Sequence, residues 1–299
     1  VKSIAVGDRS FFQKYFSDPL AGILAGLFFL ILKILPLSVA RFLGETIGAF
    51  LGLIMWRRNH IALVNMQIAF PDKTMSEKKK ILRKMWRHFG RLAGEIFHTN
   101  HVIKTLKHKG FEHIRKFYKE GKGGFLCSAH FGNWELPFGV LVAPNFKFNP
   151  VFRTGNNPYL NKILFGRREG IHIPKGPAGA RLMLQMLKEG QFISILCDQK
   201  LREGMTVPFF EKPAQTATAM AGLALKLDLP IFMARCVWQK GGYYLAEILP
   251  PLKLPTNLPR EQAEYEIMLR INQIYESWIR EYPEQWLWIH RRFDKKIYE

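Results

Sequence analysis

From Gly110 onward, short apolar runs rich in β-branched or aromatic residues alternate with stretches of helical periodicity. No other feature of the chain limits the fold so strongly. The runs predict strands over 124–129, 148–153, 192–197, 231–237 and 243–248, and the segments 178–187 and 216–227 read as helices. Such alternation predicts an α/β architecture, a mixed and largely parallel sheet flanked by helices. Ligands of sheets like this collect in the crevice at the carboxyl ends of the strands. A last helix is expected over 260–281, with Ile267, Ile271, Ile274 and Trp278 as its buried stripe, stopping before Pro283. The 299 residues, 48% apolar and 23% charged, suffice for a large buried core and exclude a disordered chain.

The first 110 residues have a different texture. Leu20 to Leu32 is thirteen uncharged residues, extended by Ile34, Leu35 and a snorkelling Lys33 before Pro36. A full membrane span needs ~20 apolar residues, so this is a marginal anchor. A second apolar segment, 47–56, ends in Trp56-Arg57-Arg58, as at a membrane–water boundary. The expectation is an N-terminal hydrophobic helical anchor or in-plane hairpin over residues 1–58, followed by one catalytic domain over 59–299. The segment 76–100 reads as a basic amphipathic helix capped by Ser76. Ile81, Met85, Phe89, Leu92 and Ile96 mark its apolar face, and Lys79, Lys80, Arg83, Arg87 and Arg91 fall largely opposite.

Charge is concentrated in this half. The chain holds 44 Lys+Arg against 24 Asp+Glu, a net +20. From Lys73 to Lys122 alone there are 15 basic and 4 acidic residues, 15 − 4 = +11. Such a region attracts anions, whether an acidic protein, phosphorylated lipids or an anionic membrane surface. Nucleic acid would also be attracted, but no RRM, KH or zinc-finger pattern is present. Cys127, Cys197 and Cys236 sit singly in apolar stretches and read as small buried hydrophobes in a reducing compartment.

Chemistry concentrates at Phe125-Leu-Cys-Ser-Ala-His130-Phe-Gly-Asn-Trp-Glu135-Leu-Pro137. A predicted strand delivers His130 at its carboxyl end, Gly132 permits a turn, and Trp134, Glu135 and Pro137 fit the first turns of a helix. On one continuous helix His130 and Glu135 would lie ~140° apart, so they converge only if the chain bends at Gly132. A carboxylate accepting from one imidazole nitrogen fixes the tautomer and leaves the other nitrogen as a base. No HExxH or CxxC spacing accompanies the pair, so no metal is expected. His98-x-x-His101 lies in the basic segment and is assigned to the surface. Ser128 shares a strand face with His130, but no nucleophile elbow surrounds it.

His130-Phe-Gly-Asn-Trp-Glu135 resembles the His-x4-Asp/Glu signature of the glycerolipid acyltransferases, in the form used by the late acyltransferases of bacterial lipid A biosynthesis. The likeness extends to Phe152-Arg153 with Asn156-Asn157-Pro158, Gly166-Arg167-Arg168, Asp198-Gln199, Val207-Pro208-Phe209-Phe210 and His290-Arg291-Arg292-Phe293. It covers nearly the whole chain.

The resemblance implies transfer of an acyl chain from an acyl carrier protein thioester to a hydroxyl on a 3-hydroxyacyl chain of a lipid A precursor, without a cofactor. It implies three partners, an acidic carrier protein, a phosphorylated glycolipid acceptor and an anionic membrane, with the catalytic domain on the cytoplasmic face of the inner membrane. His130 would be the general base and Glu135 would hold its ring. Arg167 would hold a phosphate or the oxyanion, and Asp198 would order the strand-end site. Backbone N–H groups near Gly132 and Asn133 are the expected oxyanion donors. Arg153, Arg168, Arg291 and Arg292 are the expected contacts to anionic substrate. A thioesterase using water in place of the acceptor, an acyltransferase for another glycolipid or lysophospholipid, and a non-catalytic basic binding module are the competing readings.

Overall fold

The computed structural model describes residues 13–136, 138–143, 145–146, 148–152, 157–159, 173–174, 176–255 and 257–299. Arg153, Arg167 and Arg168, to which the resemblance gives roles, and Asn156 and Gly166 of its motifs lie outside the described residues.

The chain opens with helices. A short π-helical turn, Gln13–Ser17, runs into α1 (Asp18–Ile34), and Pro36 separates α1 from α2 (Leu37–Ile54). Pro36 lacks the N–H that a continuous helix would need. Then come α3 (Trp56–Ala69), α4 (Met75–Glu95) and α5 (Thr99–Thr105). The single helix expected over 76–100 is thus two. Its cap is Thr74, not Ser76: the Glu77 N–H donates to Thr74 Oγ1 at 3.3 Å while the Thr74 N–H donates to Glu77 Oε2 at 2.8 Å. That reciprocal pair satisfies two otherwise orphaned groups at the helix start. The amphipathic reading of α4 holds, with Ile81, Met85 and Leu92 buried and Lys79, Lys80, Arg83 and Arg87 exposed.

Segments Tyr15–Ile34 and Leu37–Ile54 are long and apolar enough to cross a membrane, with mean hydropathy 1.8 and 1.5. Only 11% and 17% of their apolar windows are buried inside the protein, so Leu24, Leu27, Phe42, Phe50 and Leu53 face outward. The other face of α2 lies on α4. Gly44 and Gly48 meet Gly90 and Gly94 so closely that a Cβ on Gly90 would land on the Gly44 carbonyl, and one on Gly44 would land on the Gly90 carbonyl. The hydropathy changes near residue 58, while α2 stays locked to α4 beyond that boundary.

The rest is α/β. In chain order it contains β1 (Lys107–Lys109), α6 (Phe111–Lys119), β2 (Gly124–Ser128), β3 (Phe148–Phe152), β4 (Ile173–Pro174), α7 (Pro177–Lys188) and β5 (Phe192–Leu196). β6 (Met205–Phe209), β7 (Lys212–Thr216), α8 (Ala219–Leu227), β8 (Ile231–Trp238), β9 (Tyr244–Ile248) and α9 (Arg260–Glu281) complete it. Seven strands form one sheet in the order β1-β9-β8-β2-β5-β3-β4, with every pairing parallel except β8 with β9. β6 and β7 form a separate antiparallel hairpin that the sequence reading did not expect. Alternating residues of β2 feed the two faces: Phe125 and Cys127 join the core beneath α8 and α9, while Leu126 joins the one beneath α5 and α6. All three cysteines are buried and free.

Candidate active site

β2 and β5 are parallel neighbours in register, Ser128 opposite Leu196. Two residues beyond those ends, at the same level, stand His130 and Asp198. This is the carboxyl end of the parallel strands, the side on which α/β sheets hold their ligands. The His130 Nδ1–H donates to Asp198 Oδ1 at 2.8 Å, and the His130 backbone N–H donates to Asp198 Oδ2 at 2.9 Å. The Trp286 indole N–H adds a third bond to Oδ2 at 2.9 Å. Asp198 is 3% exposed and the His130 side chain 20%. Burial pushes the Asp198 carboxyl up, but the adjacent His130 charge and the bonds from His130 and Trp286 outweigh it and bring the pKa down to about 2. Asp198 is therefore a carboxylate that only accepts. Nδ1 then carries the proton, and Nε2 of the neutral ring presents its lone pair.

This geometry corrects the expected ring holder. Asp198, 68 residues away in sequence, takes Nδ1. Glu135 accepts instead from the Trp134 indole N–H at 3.0 Å, and the Trp134 ring meets His130 edge-on with centroids 5.4 Å apart. Nor does a helix begin there. Residues 134 and 135 form a turn, so the helix-start argument for a carboxylate at 135 is withdrawn.

The turn is held by a strap from the C-terminus. The Gly132 N–H donates to Gln285 O at 2.8 Å, the Leu287 N–H donates to His130 O at 3.0 Å, and Phe131 bridges Trp286. Trp286 and Trp288 are 2% and 0% exposed, so the segment that carries them is a packed corner. Gly132 has φ 59°, and a Cβ there would strike the Cys236 carbonyl, so glycine is required. The Asn133 N–H donates to Cys236 O at 2.8 Å. With the Gly132 N–H on Gln285, both expected oxyanion donors are occupied. That expectation is corrected too.

Two residues of α4 brace the same turn. Glu95, 1% exposed, accepts from Asn133 Nδ2 at 3.1 Å, Tyr244 OH at 2.8 Å and the α2 residue Arg41 at 2.6 Å. Burial raises its pKa despite the Arg41 charge and the Tyr244 hydroxyl. Asn133 thus serves as a strut. His88 Nε2 lies 3.2 Å from Gly132 O, and burial lowers its pKa to about 3. Neutral His88 donates there.

Since the unfolded imidazole titrates near 6.5, the stability that depends on neutral His88 is present above that pH and lost as pH falls towards 3. His290, beside His130 with ring centroids 5.7 Å apart, is lowered to about 4 by burial and the His130 charge, and follows the same sign. At 1.36 kcal/mol per unit, each is expected to cost ~2 kcal/mol of folding stability between pH 7 and pH 5. His88→Gln, which keeps a donor to Gly132, should remove about half of the loss seen by chemical denaturation at the two pH values.

The expected substrate arginines divide. Arg291 is exposed. Arg292 is 1% exposed and donates to Gln215 O at 2.9 Å and Thr216 Oγ1 at 2.8 Å, beneath the Phe209 ring. It ties the β6–β7 hairpin to the C-terminus, and its expected role at a substrate is corrected to a structural one. Trp286, Gln285, His88 and Glu95 were not foreseen as site residues, because each arrives from a distant element.

The chain matches, over residues 11–295, the family model described as bacterial lipid A biosynthesis acyltransferase. It is 27% identical over 270 residues to the lipid A biosynthesis palmitoleoyltransferase of Escherichia coli (strain K12), covering 87% of this chain and 86% of that protein. Identity to the lipid A biosynthesis lauroyltransferase of the same strain is 27% over 273 residues, with 87% and 86% covered. A phosphatidylinositol mannoside acyltransferase of Mycobacterium tuberculosis (strain CDC 1551 / Oshkosh) is 23% identical over 193 residues, 62% of this chain and 60% of that protein.

Proposed function

The chain belongs to the bacterial lipid A biosynthesis acyltransferase family, and from that premise we propose that it moves a fatty acyl chain from an acyl carrier protein thioester to the hydroxyl of a 3-hydroxyacyl chain on a lipid A precursor, with His130 as general base. The observation that carries this reading is the His130–Asp198 pair at the shared carboxyl ends of β2 and β5. Nε2 takes the hydroxyl proton as the oxygen attacks the thioester carbon. The tetrahedral intermediate then collapses, and the carrier leaves as a thiol that regains the proton from His130. A base so placed contributes ~10²–10⁴-fold. The rest of the rate comes from positioning and from stabilising the oxyanion. Glu135 acts on the ring through Trp134, whose indole donates to it and meets the ring edge-on.

The outward apolar faces of α1 and α2 support a membrane-bound enzyme, which we take to sit on the cytoplasmic face of the inner membrane. The exposed basic face of α4, with Lys79, Lys80, Arg83 and Arg87, supplies the field for an acidic carrier and phosphorylated acceptors. The mannoside acyltransferase relative favours one second reading, an acceptor from another glycolipid class.

The test is purified protein with a panel of acyl-carrier thioesters and a phosphorylated disaccharide lipid, read by mass spectrometry. The expected result is one added acyl chain, with carrier thiol released only when acceptor is present. Thiol release at equal rate without acceptor would make the protein a thioesterase and overturn the proposal. Acylation of a mannosylated phospholipid, and not of the disaccharide, would select the second reading.

A further inference from the structure

Attack on a thioester puts negative charge on the carbonyl oxygen, and a site that performs it needs a donor where that oxygen forms. Among the described residues around His130, donor after donor is already committed. The His130 N–H is on Asp198, the Gly132 N–H on Gln285 O, the Asn133 N–H on Cys236 O and Asn133 Nδ2 on Glu95. Arg292 is buried on the hairpin.

The carboxamide of Gln199 is placed differently. Its Nε2 lies 3.3 Å from His130 Nε2 and 3.5 Å from Nδ1. An atom in line with the Nε2 lone pair would be far closer to Nε2 than to Nδ1. The near-equal distances therefore set the amide nitrogen over the ring face, where an N–H meets the negative side of the π-system. The amide therefore lies off the in-plane line of the Nε2 lone pair, the line along which the acceptor hydroxyl would bond. Gln199 directly follows Asp198, so the residue that fixes the base also fixes the start of this side chain.

We propose that the Gln199 carboxamide is a catalytic oxyanion donor, its N–H bonding to the thioester carbonyl oxygen as that oxygen becomes negative. The inference rests on the acyl-transfer reading of the site. When the hydroxyl oxygen bonds to the carbonyl carbon, its proton passes to Nε2 and the C=O π pair moves onto the carbonyl oxygen beside the amide. On collapse the pair returns, the C–S bond breaks, and the sulfur takes the proton from His130. Before substrate binds, the amide rests on the ring; a developing anion is a far stronger acceptor than a π face and draws it away.

The test compares Gln199→Ala and Gln199→Met, the second keeping length without a donor, with wild type and His130→Ala in acceptor-dependent transfer from a carrier thioester. Both Gln199 variants are expected to lose ~10²–10³-fold in kcat. KM for donor and acceptor, the melting temperature and the shape of the pH–rate profile should stay unchanged. A purely ring-positioning role would move the pH profile, and a structural one would move the melting temperature; either overturns the proposal. So does a kcat within about threefold of wild type in both variants, or a rise in hydrolysis with transfer retained, which would make Gln199 a guard against water. If His130→Ala transfers at the wild-type rate, the acyl-transfer reading of this site fails instead, and Gln199 is not the cause.

Discussion

His130→Ala is expected to lower the acyl-transfer kcat by ~10²–10⁴-fold, the range a positioned general base contributes, while substrate KM changes little. The imidazole makes its contribution only as the proton leaves the hydroxyl, so its loss falls on kcat rather than on binding. The fold should survive, because Asp198 keeps two of its donors in the variant, the residue 130 N–H and the Trp286 indole. Removing the third bond from a buried carboxylate costs about 1–3 kcal/mol, which a melting curve will register as a lowered midpoint, not an absent one. His130→Gln, which retains an N–H in the same space, should recover the melting temperature and none of the turnover. Wild-type turnover in either variant would remove His130 from the mechanism.

Asp198→Asn is the second large effect, expected to reduce kcat by ~10³–10⁴-fold. An amide at 198 turns a pure acceptor into a group that can also donate, and it meets His130 Nδ1 and the residue 130 N–H at once. A ring facing an amide N–H is driven to put its lone pair on Nδ1 and its proton on Nε2, the wrong tautomer for a base. The same substitution at the carboxylate of a serine protease triad leaves geometry intact and costs about 10⁴. Asp198→Asn also removes an acid-labile part of stability. Because the folded pKa is depressed to about 2, Asp198 contributes stability above its unfolded value near 3.8, lost as pH falls through 2. The variant should lack that component in an acid titration.

The strands and the last helix were legible because their signals are local. The predicted α9 boundaries match Arg260–Glu281, and β2 and β5 were placed within a residue. His130 was legible for the same reason, a polar residue delivered by an apolar strand. Asp198 was named through the resemblance as the residue that orders the strand end, but its bond to the ring was not legible. Asp198 reaches His130 through the register of two parallel strands, which no spacing along the chain encodes. Glu135 stood five residues away and drew the assignment instead. The helix expected after Gly132 failed because tertiary bonds to Gln285, Trp286 and Cys236 capture that backbone. The β6–β7 hairpin was hidden by Pro208 and Pro213, which lie opposite one another across it and are tolerated because the two-stranded ribbon leaves each strand an unpaired edge. Arg292 was expected at an anionic substrate because the resemblance implied it. Only the fold reveals the carbonyl and hydroxyl that hold it inside.

The tautomer of His130 can be read directly from its ring nitrogens by ¹⁵N NMR of the histidine-labelled protein in detergent. Comparison with His130→Gln assigns the resonances. At a pH where the ring is neutral, a protonated Nδ1 and a lone pair on Nε2 are predicted, with that order reversed by Asp198→Asn. A proton found on Nε2 in the wild-type protein, or ring shifts indifferent to Asp198→Asn, would contradict the claim that this carboxylate sets the base.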